Sequence, residues 1–269
     1  MEHFRKTWRK TNTACRIGTT SYIIPDDILP NLHYLKDIVE DVELVLFESD
    51  EFSNLPDPAD VGEMDRILKD AQMTVTVHLP LDAYPGAETD AERKRSAEKW
   101  LRVMDRMEPL VPFGWVVHLN DPPEGSPAEN PGKWEHWIAQ CAKTIDELAA
   151  RTDAARLCVE TLSYDFSHVF PLVREKHCSV CMDIGHLLLT GRNVDADLEA
   201  WLGHTRIIHL HGVNEAGRDH VDIGHLDHGL LHRILSALQA DTDTPRVLTL
   251  EIFSQKDLKT SLDVLENAL

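Results

Sequence analysis

Positive charge is scarce in this 269-residue chain: 27 Lys and Arg stand against 46 Asp and Glu, a formal charge of −19. That deficit argues against a protein that grips duplex nucleic acid, because neutralising a phosphate backbone takes stripes of Lys and Arg. It argues equally against docking on anionic membrane surfaces. No apolar run in the sequence approaches the ~20 residues needed to cross a bilayer. Cysteine is sparse, odd in number and scattered (Cys15, Cys141, Cys158, Cys178, Cys181), which points to reduced thiols in a cytoplasm rather than a disulfide framework. The stretch after the first apolar run, GTTSYIIP, has neither G-x-G-x-x-G nor a P-loop, so an open sheet that cradles a nucleotide is disfavoured. A G-x-S-x-G elbow is lacking as well. The first fifteen residues are basic but have no apolar h-region, so they do not read as a secretory signal. They are expected to form a partly disordered extension, residues 1–15.

What is present is an ordinary globular composition, 42% hydrophobic and 27% charged. Short β-branched runs alternate with helical stretches along the chain. Strands are expected over 16–23, 42–48, 73–79 and 113–119, then over 156–161, 179–184, 206–211 and 246–252. Residues 91–107 place Trp100, Val103 and Met104 on one helical face, and 133–150 do the same with Trp137, Ile138, Cys141 and Ile145. Eight strands, each followed by a helix, predict a single α/β domain over 16–269, a (β/α)8 TIM barrel. The Pro- and Gly-bearing segment 120–132 is expected to lie over one barrel face.

Histidine is abundant, at fifteen, and its placement is ordered. In such a barrel the chemistry sits at the C-terminal ends of the strands. The second predicted strand ends at Glu48, the third at His78 and the fourth at His118. The fifth ends at Glu160 and the sixth at Asp183, with His186 just beyond. His209 and His211 lie two apart on the seventh, hence on one face, and the eighth ends at Glu251. Asp, Glu and His together make up 61 of the 269 residues, so seven consecutive strands ending this way are poorly explained by chance. Uncompensated burial of such carboxylates would cost several kcal/mol each. Divalent cations supply the compensation, and mixed His, Asp and Glu shells suit Zn²⁺, Mn²⁺ or Fe²⁺. Bound cations also make room for a small anionic substrate in an acidic protein.

Other features carry less. A lone strand-end histidine is more often a satisfied core residue than a ligand, and the weight here rests on convergence. Cys178-x-x-Cys181 is not read as a metal or redox pair, since no second pair exists and a strand points the two to opposite faces. His204, His225, His228 and His232 are expected in helices or loops as solvated or structural residues. Glu48 has an alternative role as a capping or hydrogen-bonding residue.

The ordered motifs VHLP, VVHLN, VET, MDIGH, IHLH, DHVDIGH and LEI resemble the xylose isomerase-like barrel superfamily, which includes family 2 AP endonucleases and many sugar isomerases and epimerases. The resemblance covers nearly the whole chain from Arg16. It implies that His78, His118 and Glu160 hold one metal, and that Glu160, Asp183, His209 and Glu251 hold a second with Glu160 bridging. His186 and His220 would hold a third. The family places an Asp two residues before that last His, where this chain has Arg218, so the third site is lost, rebuilt from Asp219 or Asp222, or converted into a phosphate clamp. The isomerase branch needs one metal, held by Glu160, Asp183, His209 or His211, and Glu251. The opening RIGTTSYIIPDDILPN and VELVLFESD further resemble the cobamide-remodelling phosphodiesterases of the superfamily.

The expected function is therefore a hydrolase with two or three divalent ions that cleaves a small phosphodiester, the nucleotide-loop phosphoester of a cobamide first among candidates. Glu160 and Glu251 are the expected catalytic carboxylates, with Glu48, His211 and Arg218 as substrate contacts. Tyr22, Ile23, Ile24, Phe47 and Tyr84 are candidates to line an apolar mouth. The alternatives are a single-metal sugar isomerase or epimerase and a non-catalytic metal- or ligand-binding barrel.

Overall fold

The computed structural model describes residues 15–49 and 51–268. Eight strands appear in the order expected: β1 Cys15–Thr20, β2 Asp41–Val45, β3 Thr74–His78, β4 Trp115–Val117, β5 Leu157–Glu160, β6 Ser179–Asp183, β7 Thr205–Leu210 and β8 Arg246–Leu250. All neighbours pair in parallel, and β8 pairs with β1, so the sheet closes into a barrel. The extension expected over residues 1–15 lies outside the described residues, apart from Cys15, which opens β1.

The strands are shorter than the apolar runs that announce them. β4 covers three residues where seven were expected, because strands tilt and stagger in a closed barrel and ladder pairing stops before the apolar run does. Helices α1 (Ile28–Leu35), α2 (Pro58–Ala71), α3 (Asp90–Met107), α4 (Pro131–Ala149), α5 (Phe170–Glu175), α6 (Ile184–Leu189), α7 (Val194–Trp201), α8 (His228–Ala240) and α9 (Gln255–Ala268) return the chain between strands or close it after β8. Their starts follow local chemistry: Asp57 caps α2 by accepting from the N–H groups of Ala59 and Asp60, and Thr89 caps α3 through Glu92 N–H. The faces of α3 and α4 turn in as expected. Trp100, Val103 and Met104 are buried beside Trp137, Cys141 and Ile145, while Ile138 is partly covered.

The apolar residues divide into two shells. The large one lies between barrel and helices, and a small one of Val116, Cys158, Cys181 and Ile207 fills the barrel interior. That inner set fixes which parity of each strand faces inward. The polar strand-end residues stand two or four positions further along the same parity, directly above this apolar floor. Cys178 belongs to the outer shell and Cys181 to the inner one, so the two thiols point to opposite faces, as the strand spacing implies.

Candidate active site

Inward parity delivers Glu160 on β5, Asp183 on β6 and His209 on β7 into one space, with His118, His211 and Glu251 one residue past the ends of β4, β7 and β8. Glu160 is its centre. Its Oε2 sits 2.6 Å from His118 Nε2 and 3.5 Å from His78 Nε2. Its Oε1 sits 3.3 Å from His186 Nδ1 and 3.7 Å from His209 Nδ1. His209 Nδ1 further lies 3.2 Å from Glu251 Oε2 and 3.8 Å from Asp183 Oδ2. Asp183 has a second duty, since its Oδ1 accepts the His186 N–H at 2.7 Å and caps α6. One local sequence, MDIGH, thereby sets a carboxylate and an imidazole side by side. Gly185 in this motif is required by packing, because a Cβ there would run into the His211 ring.

The electrostatics are unusual for a barrel interior. Glu160 and Asp183 are almost completely buried, and Glu251 retains only 7% exposure, yet every ion pair these three make among the described residues is with histidine. Burial by itself would raise the Glu160 pKa, but the charges of His118 and His209 hold it well below the usual carboxylate range. Asp183 is driven down in the same way by His209 and His211, against its own burial. In return, Glu160 outweighs burial to lift His78 to about 8 and, with Asp183, His186 to about 9.

Several buried polar atoms have no hydrogen-bond partner among the described residues: Nδ1 of His186, His209 and His220, and Oε2 of Glu251. Three of these atoms are within 3.2–3.3 Å of a carboxylate oxygen or an imidazole nitrogen, at ion-pair distance but without hydrogen-bond geometry. Ligands of one tetrahedral ion with ~2.0 Å bonds stand about 3.3 Å apart. The donor atoms therefore already have the mutual spacing of a metal shell. Three such groups have ligand atoms within 4.8 Å of one another: His78–His118–Glu160 and Glu160–Asp183–His209–Glu251, which have the residues of the two expected sets, and His186–His211–His220, which adds His211 to the expected His186 and His220. The residues fit divalent ions of the Zn²⁺, Mn²⁺ or Fe²⁺ kind.

The two histidines at the end of β7 stand at different heights and meet different partners. His209 presents Nδ1 to the carboxylates. His211 Nδ1 accepts the His220 N–H at 3.1 Å, which leaves Nε2 to face Asp183 Oδ1 at 3.2 Å. His211 thus braces Asp183 and stands next to His220, at 4.2 Å between ring centroids. Arg218 is exposed on the turn after β7, where its backbone N–H is held by Asn214 Oδ1.

Glu48 is not brought to this space. β2 ends at Val45, and Glu48 lies beyond it, in an isolated bridge to Ser53 with its carboxylate 2.7 Å from Arg102 Nη1 of α3. Of the expected mouth residues, Ile23 is buried in the outer core, whereas Phe47 and Tyr84 are exposed and Tyr22 rests against Phe47 at 6.2 Å. The residue the strand-end reading passed over is Glu43. It is fully buried on β2, and its Oε2 is 2.9 Å from His209 Nε2. The signal was present in VELVLFE, where Val42, Leu44 and Leu46 occupy one parity and Glu43 the other. The Glu160–Cys181–His209 group, also within 4.8 Å, was likewise not expected.

The family model described as a xylose isomerase-like TIM barrel matches residues 34–268. No curated protein is matched by the sequence. Among solved structures, the chain is similar to a D-tagatose 3-epimerase-like protein at 16% identity and a TM-score of 0.76, covering 94% of this chain and 96% of that one. It is similar to the 3-keto-D-glucoside 4-epimerase YcjR of E. coli at 18% identity and TM-score 0.66, covering 94% and 98%. It also resembles a D-psicose 3-epimerase from Clostridium cellulolyticum H10 at 12% identity and TM-score 0.69, covering 94% and 98%.

Proposed function

We propose that this chain, which belongs to the xylose isomerase-like TIM-barrel family, is a divalent-metal enzyme working on a small polar substrate at the C-terminal mouth of its barrel, and that its ligand set is built for phosphoester hydrolysis. The observation that carries the hydrolytic part is the corner made by His78 and His118 on Glu160 Oε2. A second ligand group shares Glu160, and an isomerase holding one ion has no use for that corner. Bound ions would supply an acidified water and neutralise charge on the phosphoryl oxygens. The protein's part is to hold Glu160 ionised, against its own burial, between two ligand groups. Arg218, exposed on the turn after β7, would meet the anionic end of the substrate.

A specific observation favours a second reading, a sugar epimerase or isomerase. The solved structures described above carry sugar-epimerase names, and they weigh on that side rather than on hydrolysis. One ion on Glu160, Asp183, His209 and Glu251 would suffice there, with Glu160 and Glu251 passing a proton across a carbon beside a carbonyl. A cobamide is the substrate to try within the hydrolytic reading, its support being the two N-terminal segments and the exposed rings of Phe47 and Tyr84 at the mouth. Sparse, buried cysteines, odd in number, support the cytoplasm as the working compartment. No helix among the described residues is long and apolar enough to cross a membrane.

The deciding experiment is elemental analysis of protein purified without chelator, paired with phosphodiesterase and ketose-epimerase assays of wild type, His78→Ala and His118→Ala. Two or three ions per chain, and phosphodiesterase turnover abolished in both variants, are expected. One ion per chain with epimerase turnover that survives both substitutions overturns the hydrolytic reading. Ions bound with no turnover on any substrate class would leave a binding barrel.

A further inference from the structure

We infer that Glu43 is the positioning residue for the central metal group, fixing the His209 ring so that Nδ1 and not Nε2 faces the carboxylates. This rests on the metal reading above but not on the choice between hydrolysis and epimerisation.

A metal-binding imidazole must offer one nitrogen and park the other. Where the second nitrogen donates to a carboxylate, ring orientation and tautomer are both fixed. His209 has this arrangement in full. Glu43 Oε2 lies 2.9 Å from Nε2. On the other edge of the ring, Nδ1 has no hydrogen bond among the described residues and stands 3.2 Å from Glu251, 3.7 Å from Glu160 and 3.8 Å from Asp183. The bond spans the barrel interior, joining β2 to β7 across 166 residues of chain, so no local motif could supply it.

Nothing else explains Glu43. The carboxylate is fully buried, and among the described residues its other oxygen Oε1 has no hydrogen-bond partner and its ion pair is with His209. By register it lies beside Thr20 of β1 and Thr76 of β3, and Thr76 donates to Asp41 instead. Burying a carboxylate on such terms is costly, and an apolar residue would suit the barrel floor better if packing were the only demand. A rival soft partner sharpens the need, because Cys181 lies in the same group as His209 and Glu160, within 4.8 Å. Holding Nε2 keeps the ring turned to the oxygen side.

The test compares Glu43→Ala, Glu43→Gln and Glu43→Asp with wild type. Ions per chain are counted by elemental analysis, Zn²⁺ affinity is measured by competition with a chromophoric chelator, and the thermal midpoint of the chelator-stripped protein is recorded. Glu43→Ala should bind one ion about 10- to 100-fold more weakly. Glu43→Gln, whose amide oxygen still accepts from Nε2, should recover most of that affinity. Glu43→Asp keeps the charge but withdraws the acceptor, and should bind as weakly as Glu43→Ala. Unchanged affinity in Glu43→Ala overturns the inference, and so does wild-type affinity in Glu43→Asp, which would assign the effect to charge alone. If Glu43→Ala does not fold, the Gln and Asp variants decide by the same contrast. A wild-type protein that binds no ion refutes the metal reading and this inference with it, whereas unchanged variants of a metal-binding wild type refute only the inference.

Discussion

Removing the metal and raising the pH should destabilise this protein, and the structure sets the size and sign of the effect. In the stripped protein, burial works to lower the His78 and His186 pKa values, but Glu160 carries His78 up to about 8, and Glu160 with Asp183 carries His186 up to about 9, from an ordinary 6.5. A group whose pKa is higher folded than unfolded stabilises the fold fully below the unfolded value and loses that contribution as pH rises through the folded one. The window is therefore from about 6.5 to about 9. The His78 shift corresponds to about 2 kcal/mol and the His186 shift to about 3 kcal/mol. Both titrate against the same Glu160, so the joint loss falls short of their sum. Taking about 3 kcal/mol for the pair, and 2–4 °C per kcal/mol for a domain of this size, the thermal midpoint should drop by roughly 6–12 °C between pH 6 and pH 9.5. Differential scanning calorimetry of chelator-stripped protein across that range measures it directly. The metal-loaded protein should trend the other way, because ions compete with protons for imidazole and stabilise only the folded chain. A stripped protein whose midpoint is flat or rising from pH 6.5 to 9 would refute the coupling of these histidines to Glu160.

Glu160→Gln should reduce bound ions by at least one, since three of the four candidate ligand groups contain this carboxylate; elemental analysis against wild type checks it. Gly185→Ala should displace His211 and weaken its brace on Asp183, because a Cβ at 185 collides with that ring. A destabilisation of a few kcal/mol by overpacking is expected in chemical denaturation, with lowered metal occupancy. Glu48→Ala should leave ion count and turnover near wild type and cost at most about 1 kcal/mol of stability, since its partner Arg102 is more than half exposed.

The barrel was legible along the chain because the alternation of apolar strands and amphipathic helices is a local property, set by side-chain periodicities of about 2 and 3.6 residues. Strand-end chemistry was legible for the same reason. In VVHLN, VET and MDIGH, an apolar run leads into a polar residue, and parity places His118, Glu160 and Asp183 on the inner face. Where the run continued past the ladder, as in VELVLFE, the same reasoning stopped at Glu48 and passed over Glu43, although Glu43 holds the inward parity. Strand length within a barrel depends on tilt and stagger against neighbours, and residues 42–48 carry no record of either.

Other features belong to the closed structure alone. His209 and His211 share one face of β7, and nothing local distinguishes them. Their roles diverge because His209 lies level with Glu43 across the barrel, while His211 stands a step higher, against Gly185 and the His220 backbone. The sequence determined which side chains face inward, through the two-residue period of a strand. Only closure of the barrel decided which of them meet, because contact between β2 and β7 depends on register summed around the intervening strands.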